Sequence, residues 1–539
     1  MELLQELLKR QHTHGWIDDQ FLRGLARAKH VPLYRLEGLV SFYTHFRRTP
    51  PTGRILQVCR DLTCWMAGSE GLLQEFQAAA PQGLLVERVS CLGRCDAAPA
   101  VAIDDWPLAP ISLRDQAAVA ERCRRAEPAA NTATLLQRRR WRVDPYENDG
   151  EHFNTLRALA ARGVDWQAHC CDVLKLAGLR GMGGAGFPTA LKWQAVAQQA
   201  AAPKYVICNA DESEPGTFKD REILSSLAHL VIEGMILAGL AVGAERGIIF
   251  LRHEYLPERA QIDLALEQAR AAGVLGDNVA GTGHAFDVEV FVSPGGYILG
   301  EETALLEALE DKRGEPRNKP PYPVTHGLWG CPTVINNVET LALAACLLAR
   351  GADWWQSQGV RGQRGLKFFS VSGDVCRPGV YEVPCGTSIA ELIALAGGIP
   401  AGKTLKAVLP GGASSSFLPA SAMNTPLTFE AIRDAGSMLG SGAVVAVSQG
   451  QDLFALAARI VRFFRNESCG KCVPCRIGTQ RAVELLDAVS AGSAGKEQLS
   501  FLTELGQTLA ATSLCGLGQV ALNPILSMLK HFPGEVPRP

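Results

Sequence analysis

The sequence predicts a multidomain α/β protein that ends in a helical bundle. Three observations predict it. The chain has 539 residues, too many for one hydrophobic core, so three or four domains are expected. Strand and helix signals alternate from about residue 151 to 350. Two cysteine quartets flank that region: Cys59-x4-Cys64 with Cys91-x3-Cys95, and Cys469-x2-Cys472-x2-Cys475 with Cys515.

The elements follow in order. Residues 1 to about 50 alternate helical pattern with breaks, and Leu3, Leu4, Leu7 and Leu8 make one helical stripe. Segments 54–60 and 84–89 read as strands joined by a helix over 68–79, so each cysteine pair sits on a loop just after a strand. Residues 126–150 read as a linker, and its run Arg138-Arg139-Arg140 as a solvated charge cluster rather than a docking site. Residues 205–209 and 247–252 are expected as buried strands. From 365 to about 446, short strands, many glycines and one helix near 388–396 indicate a small α+β module. From Gln451 the pattern is helical, with Leu453, Leu456, Ala457, Ile460, Val461 and Phe464 on one face. The second quartet begins where that helix ends, and a bundle would bring Cys515 back to it. There is no internal repeat.

Composition excludes several classes. Hydrophobic content of 47% with 20% charged residues is ordinary for a globular protein. A net charge of −2 gives no support for nucleic-acid binding. Met1 to Glu6 carries acidic residues and no apolar core, so no secretory signal is expected. The longest apolar stretch, around 230–244, is broken by Glu233 and glycines and is too short for a bilayer. The expectation is a cytoplasmic protein with no direct membrane insertion. Its cysteines then read as ligands and reduced core thiols rather than disulfides. The eight outside the quartets (Cys123, Cys170, Cys171, Cys208, Cys331, Cys346, Cys376, Cys385) are expected to be buried small hydrophobes.

The motifs carry the chemistry. The C-x2-C-x2-C triplet wraps three corners of a cubane iron–sulfur cluster, and a distant thiolate closes it. Thiolates suit zinc as well, so spacing alone leaves zinc open. Residues 181–187 contain G-x-G-x-x-G, but behind a helical pattern rather than a strand, unlike the ordinary dinucleotide fingerprint. Glycines of this kind still let backbone N–H groups approach a phosphate or flavin, and Lys192 is placed to neutralise a phosphate. Asn209, Asp211, Glu212, Ser213 and Glu214 crowd the end of an apolar strand, where open α/β sheets bind ligands. Three further segments follow: 295–303, 319–323 and 336–340. Residues 397–404 match the P-loop expression, but they run from helix to strand, so the match reads as chance. Clusters at both ends of a nucleotide site imply electron transfer. A cluster-bearing carrier or scaffold is the rival class, and it needs no nucleotide site.

Together these segments resemble the NADH-oxidising flavoprotein subunit of respiratory complex I, fused behind its thioredoxin-like 2Fe–2S subunit. The same pair recurs in NAD-reducing hydrogenases and in NAD-dependent, molybdenum- or tungsten-containing formate dehydrogenases. Ser41-Phe42-Tyr43-Thr44-His45-Phe46 is similar to the small subunit's helical lead-in. The resemblance implies five parts: a helical lead-in with a thioredoxin-like ferredoxin domain (1–125), the linker (126–150), a Rossmann-like FMN/NAD domain (151–360), a ubiquitin-like module (361–447) and a helical bundle (448–539). It implies one 2Fe–2S cluster on Cys59, Cys64, Cys91 and Cys95, and one 4Fe–4S cluster on Cys469, Cys472, Cys475 and Cys515. It implies FMN held by Gly181, Gly183, Gly184, Lys192, Asn209, Asp211, Tyr297, Gly300, Asn336, Asn337 and Thr340. NAD(H) would be contacted by Phe187, Glu214, Glu302, Lys319 and Tyr322, with Glu301 also among the cofactor-binding residues.

Two departures qualify the resemblance. Met182 stands where complex I and the hydrogenases usually have Arg, which removes one cation near the flavin phosphate. Leu299 stands where Cys is usual, a change of packing. The formate dehydrogenase branch tolerates an apolar residue at the first position, and its closing motif resembles Ser513 to Gln519. The implied function is therefore the diaphorase subunit of a formate dehydrogenase. Its partner would be a large molybdopterin subunit, with Mo or W and further iron–sulfur clusters, that delivers electrons for NAD+ reduction. The alternative is the same subunit in a hydrogenase or complex I.

Overall fold

The computed structural model describes residues 1–79, 83–108 and 139–537. The expected boundary at 125, Cys123, Arg138 and most of the 126–150 linker lie outside the described residues.

Three helices lead in: Glu2–His14, Asp19–Ala28 and Leu33–Phe42. Leu3, Leu4 and Leu7 of the expected stripe are buried. They pack in one core with Ile207, Ile248 and Phe250 of the second sheet, so the lead-in is braced on a distant part of the chain. The Met1 amino group meets Asp311 at 2.8 Å.

The first sheet contains β1 (Arg54–Cys59), β2 (Leu84–Val89), β3 (Val101–Ile103) and β4 (Trp106–Leu108), in the order β2-β1-β3-β4. β1 runs parallel to β2, and the β3–β4 hairpin is antiparallel to it. The parallel pair needs a crossover, which the helix Ser69–Ala79 supplies. Both cysteine pairs therefore emerge at one end of this sheet, as the sequence pattern predicts.

The second sheet is fully parallel: β5 (Tyr205–Ala210), β6 (Arg246–Arg252), β7 (Asp287–Ser293) and β8 (Thr333–Asn337), ordered β7-β6-β5-β8. The strand order reverses beside β5, so the crevice at the carboxyl ends of β5 and β8 is the switch point where such sheets bind ligands. Helices Ala228–Val242 and Val338–Arg350 pack together in its core. Ala228–Val242 is buried along its whole length because it is apolar on all sides. Among the described residues no single helix is long and apolar enough to cross a membrane. One pair, Lys219–Ser226 with Ala228–Val242, passes that test together, but it is bent by 93°.

The third sheet holds β9 (Leu366–Gly373), β10 (Gly379–Pro384), β11 (Leu405–Leu409), β12 (Leu418–Pro419) and β13 (Ala443–Ser448), ordered β10-β9-β13-β11-β12. β9 and β13 are parallel and the other pairs antiparallel. The expected helix is Ile389–Leu395, started by a capping box between Ser388 and Glu391. The P-loop-like residues lie between that helix and β11, in the helix-to-strand order that excludes a phosphate loop.

Helices Leu453–Asn466, Val473–Ser490, Phe501–Thr512, Gly516–Val520 and Asn523–His531 close the chain. All six residues of the expected apolar face on the first of them are buried. One expectation fails. Cys376 is exposed, and Cys171, Cys331 and Cys385 are only partly buried. Cys376 stands in the turn between β9 and β10, where no core is available to it.

Candidate functional site

Cys59 ends β1, Cys64 sits on the short helix Leu62–Met66, and Cys91 and Cys95 follow β2; all four are buried. Cys91 Sγ and Cys95 Sγ lie 3.5 Å apart. Three backbone N–H groups point at the sulfurs, each at 3.4 Å: Gly93 to Cys91, Ala100 to Cys64 and Gly216 to Cys95. Hydrogen bonds from neighbouring thiols, together with burial, push Cys59, Cys91 and Cys95 above the ordinary thiol value. Four converging thiols with N–H donors aimed at sulfur fit a thiolate-bound cluster, whose binding releases those protons.

Cys469, Cys472, Cys475 and Cys515 line a single cavity with Ile298, Leu514 and Leu517. Cys472 is the N-cap of Val473–Ser490 and Cys515 the N-cap of Gly516–Val520, so two helix starts face the cavity. Their free N–H groups favour negative charge there. Burial raises Cys475 to about 11 and Cys515 to about 12. The four donors and the apolar lining fit a buried cluster.

The nucleotide segments meet between the two quartets. The glycine loop is closed by Gly181 N donating to Phe187 O at 2.8 Å and by Met182 N donating to Thr340 Oγ1 at 2.9 Å. A Cβ on Gly183 would come within 3.2 Å of the Asn337 Cβ, so the loop lies directly on the end of β8. Gly184 has φ +128, a conformation side chains rarely adopt, with open space beside it. Such a bare backbone fits close approach by a flavin or phosphate. Asn337 caps the helix Val338–Arg350 and binds Asp220 Oδ2 at 2.6 Å. Asn336 accepts from Trp193 Nε1 at 2.7 Å, and Asn209 Nδ2 donates to Gly300 O at 2.9 Å. Asp211 is buried and accepts from Ser213 and, at 2.7 Å, from Ser293 Oγ; burial raises it to about 6. Tyr297 packs edge-on against Phe463 at 5.1 Å.

Lys192 Nζ donates to Ile335 O at 3.0 Å and lies 3.4 Å from Glu302. Lys319 joins Glu301 at 2.7 Å and Glu302 at 3.2 Å. Although Glu302 is largely buried, the two lysines hold its carboxyl below the ordinary value. Phe187 and Tyr322 are 52% and 54% exposed, so both rings are free to meet a planar ligand. Glu214 is pushed up to about 7 by burial and accepts from Ser414 N at 2.8 Å.

Sequence reasoning missed several residues. Glu467 accepts from Ser90 Oγ at 2.5 Å and from Tyr297 N at 2.9 Å, so one carboxylate joins the neighbour of Cys91, the nucleotide segment and the start of the second quartet. Its place two residues before Cys469 is the only signal. Lys367 Nζ stands 3.7 Å from Met182 Sδ, so a lysine of β9 supplies a cation beside the position where Arg is usual. It shares Glu339 with Lys219, at 3.1 and 3.0 Å.

Comparison with known proteins agrees with this geometry. Residues 174–345 match the family described as the Nuo51 FMN-binding domain, and 455–538 match the NADH-ubiquinone oxidoreductase-F iron-sulfur binding region. Residues 1–124 match the thioredoxin-like 2Fe–2S ferredoxin and 368–417 the SLBB domain. One of the two F subunits of NADH-quinone oxidoreductase in Rhizobium meliloti (strain 1021), the one numbered 2, is 43% identical over 394 residues, 73% of this chain and 93% of that protein. The chain belongs to the family of NADH-quinone oxidoreductase F subunits. Within this family it is also 41% identical over 369 residues to the NADP-reducing hydrogenase subunit HndC of Solidesulfovibrio fructosivorans, covering 68% of this chain and 75% of that one. A crystal structure of an NAD+-reducing NiFe-hydrogenase superposes with a TM-score of 0.87 at 34% identity, over 98% of this chain and 92% of that chain.

This family member is thus an NADH-oxidising diaphorase subunit with a thioredoxin-like 2Fe–2S domain, an FMN-binding domain and a 4Fe–4S region. The zinc reading of the quartets falls away. The multidomain α/β fold, its α+β module and its helical C-terminal region are those the sequence predicts.

Proposed function

We propose that this subunit reduces NAD+ with electrons from a formate-oxidising molybdopterin partner. The observation that supports it is Met182. It is 5% exposed in the glycine loop, where the resemblance admits an apolar residue only in the formate dehydrogenase branch. The closing segment Cys515-Gly516-Leu517-Gly518-Gln519 supports the same branch.

The residue roles belong to this reading. Gly181, Gly183 and Gly184, with Lys192, Asn209, Asp211, Tyr297, Gly300, Asn336, Asn337 and Thr340, form the FMN cradle. Phe187 and Tyr322 stack on NAD(H), while Glu214, Glu301, Glu302 and Lys319 hold its polar groups. FMN supplies the exchange of a hydride against single electrons. The protein's part is binding and orientation: buried carboxylates with fixed partners, a bare glycine backbone and two exposed rings. No side-chain acid or base is needed. The second quartet, beside Ile298 and Tyr297, takes the near cluster position, and the first quartet lies across the Asp211–Thr217 loop.

A hydrogenase role is the second reading, favoured by the likeness to the NAD+-reducing hydrogenase chain over 98% of this one. Purification of the native assembly, followed by formate- and hydrogen-dependent NAD+ reduction side by side, separates them. Formate-driven reduction with molybdenum or tungsten present is expected. Hydrogen-driven reduction with nickel present and neither of those metals overturns the proposal.

A further inference from the structure

We propose that His45, Asp105 and His253 form a divalent-cation site, suited to zinc, that ties the helical lead-in and the first sheet to the second sheet. One ligand atom from each residue lies within 4.8 Å of the other two. His45 Nε2 is 3.6 Å from Asp105 Oδ2. The His45 and His253 ring centres are 4.2 Å apart. Each group comes from a different part of the chain, so no single motif announces the site.

Each is held in place by the fold. Asp105 is the second residue of the tight β3–β4 turn, where Asp104 and Asp105 have φ of 48° and 68°. Such hairpin turns favour residues that tolerate positive φ. Asp104 is fastened to Ile55 N at 2.8 Å, and Asp105 Oδ1 accepts from Gln57 Nε2 at 2.8 Å. That leaves Asp105 Oδ2 for His45. Outer hydrogen bonds of this kind orient ligands at metal centres. The carbonyl of His45 accepts from the Gln11 side chain, whose Oε1 accepts from Arg47 N at 2.7 Å. His253 follows β6 directly, and its ring is pressed against Gly295, where a Cβ would come within 2.6 Å. Its Nδ1 is buried without a hydrogen-bond partner, 3.4 Å from Glu254 Oε2.

The donor set selects the ion. Two imidazoles and one carboxylate suit zinc, with water or Glu254 as the fourth ligand. Calcium and magnesium require more oxygen donors than this. Burial lowers His45 to about 4, so its ring is in the neutral form that binds metal. No cysteine takes part, so this zinc is separate from both cluster quartets.

The test uses the full-length chain with its clusters and FMN. Protein treated with a mild chelator is titrated with zinc chloride, and zinc and iron are counted by elemental mass spectrometry. One zinc per chain is expected at micromolar free zinc, with iron unchanged and only nitrogen and oxygen neighbours at the zinc absorption edge. Loss of an outer partner weakens such sites by about 10–100-fold, so His253→Gln and Asp105→Asn should weaken uptake by more than that. Wild-type protein that takes up no zinc overturns the proposal without reference to any variant. So does sulfur in the zinc shell, or variants that bind zinc as the wild type does.

Discussion

Gly216 N donates to Cys95 Sγ at 3.4 Å, across 121 residues of chain. The nucleotide-binding loop thereby touches a ligand of the first quartet directly. Gly216 has φ +97, and a Cβ there would lie 2.9 Å from Val445 Cγ2 and 3.5 Å from Leu62 Cδ2, so three parts of the chain meet at this residue. Gly216→Ala should cost about 1–3 kcal/mol in backbone strain and draw the N–H away from sulfur. Fewer hydrogen bonds to the sulfurs lower a cluster's potential. A redox titration followed by electron paramagnetic resonance should find the 2Fe–2S midpoint more negative and the 4Fe–4S midpoint unmoved. An unmoved 2Fe–2S midpoint would show that the contact does not tune the cluster.

Glu214 offers a test of the nucleotide site. It is tied to the third sheet through Ser414. Hydrogen bonds to a charged group are worth about 1.5–3 kcal/mol, so Glu214→Gln should raise KM for NADH by one to two orders of magnitude. Flavin content should stay at the wild-type level. Because burial places Glu214 at about 7, the wild-type KM should rise as pH falls through 7, while the variant's stays flat. Steady-state kinetics from pH 6 to 8.5 measures both. Loss of flavin instead would place Glu214 in the FMN cradle.

What the sequence reveals and what it hides have one physical cause. Both quartets are legible because most ligand spacings are local, and strands 54–60 and 84–89 show which end of the sheet they share. The apolar face from Leu453 to Phe464 is legible from its helical period. Ser414, Glu467 and Lys367 are not. Each acts on a partner 185 to 377 residues away, and such contacts leave no periodic mark. Lys192 reads as a phosphate partner, yet it also braces β8 through Ile335 O. Cys376 reads as a core thiol because a thiol in a turn looks the same in sequence as one in a core.

The two quartets should be separable. Cys472 lines the second cavity with the other three ligands of its quartet, and the cysteines of the first sheet are not among the lining residues. Cys472→Ser should remove only the 4Fe–4S signal and lower iron from about six to about two atoms per chain. The thioredoxin-like domain should keep its 2Fe–2S signal in the same spectrum. Loss of both signals would mean that the ligands are wrongly partitioned.

The final prediction concerns Glu233, buried in the middle of Ala228–Val242. Tyr146 OH lies 2.8 Å from both of its carboxylate oxygens, and Leu156 N donates to Oε1 at 3.2 Å. These bonds lower its pKa, but burial outweighs them and raises it to about 7. The unfolded chain binds this proton less tightly than the folded one. The stabilisation is therefore complete below the ordinary glutamate value and is lost as pH rises through 7. Over that interval the loss is on the order of 3 kcal/mol. Glu233→Gln keeps an acceptor for Tyr146 and carries no charge at any pH. Melting followed by the fluorescence of released FMN reports on this domain. The wild type should melt at a lower temperature at pH 8.5 than at pH 6, and the variant should show a smaller difference. Equal pH dependence in the two proteins would mean that Glu233 stays charged in the folded state and that its hydrogen bonds, not its burial, decide its protonation.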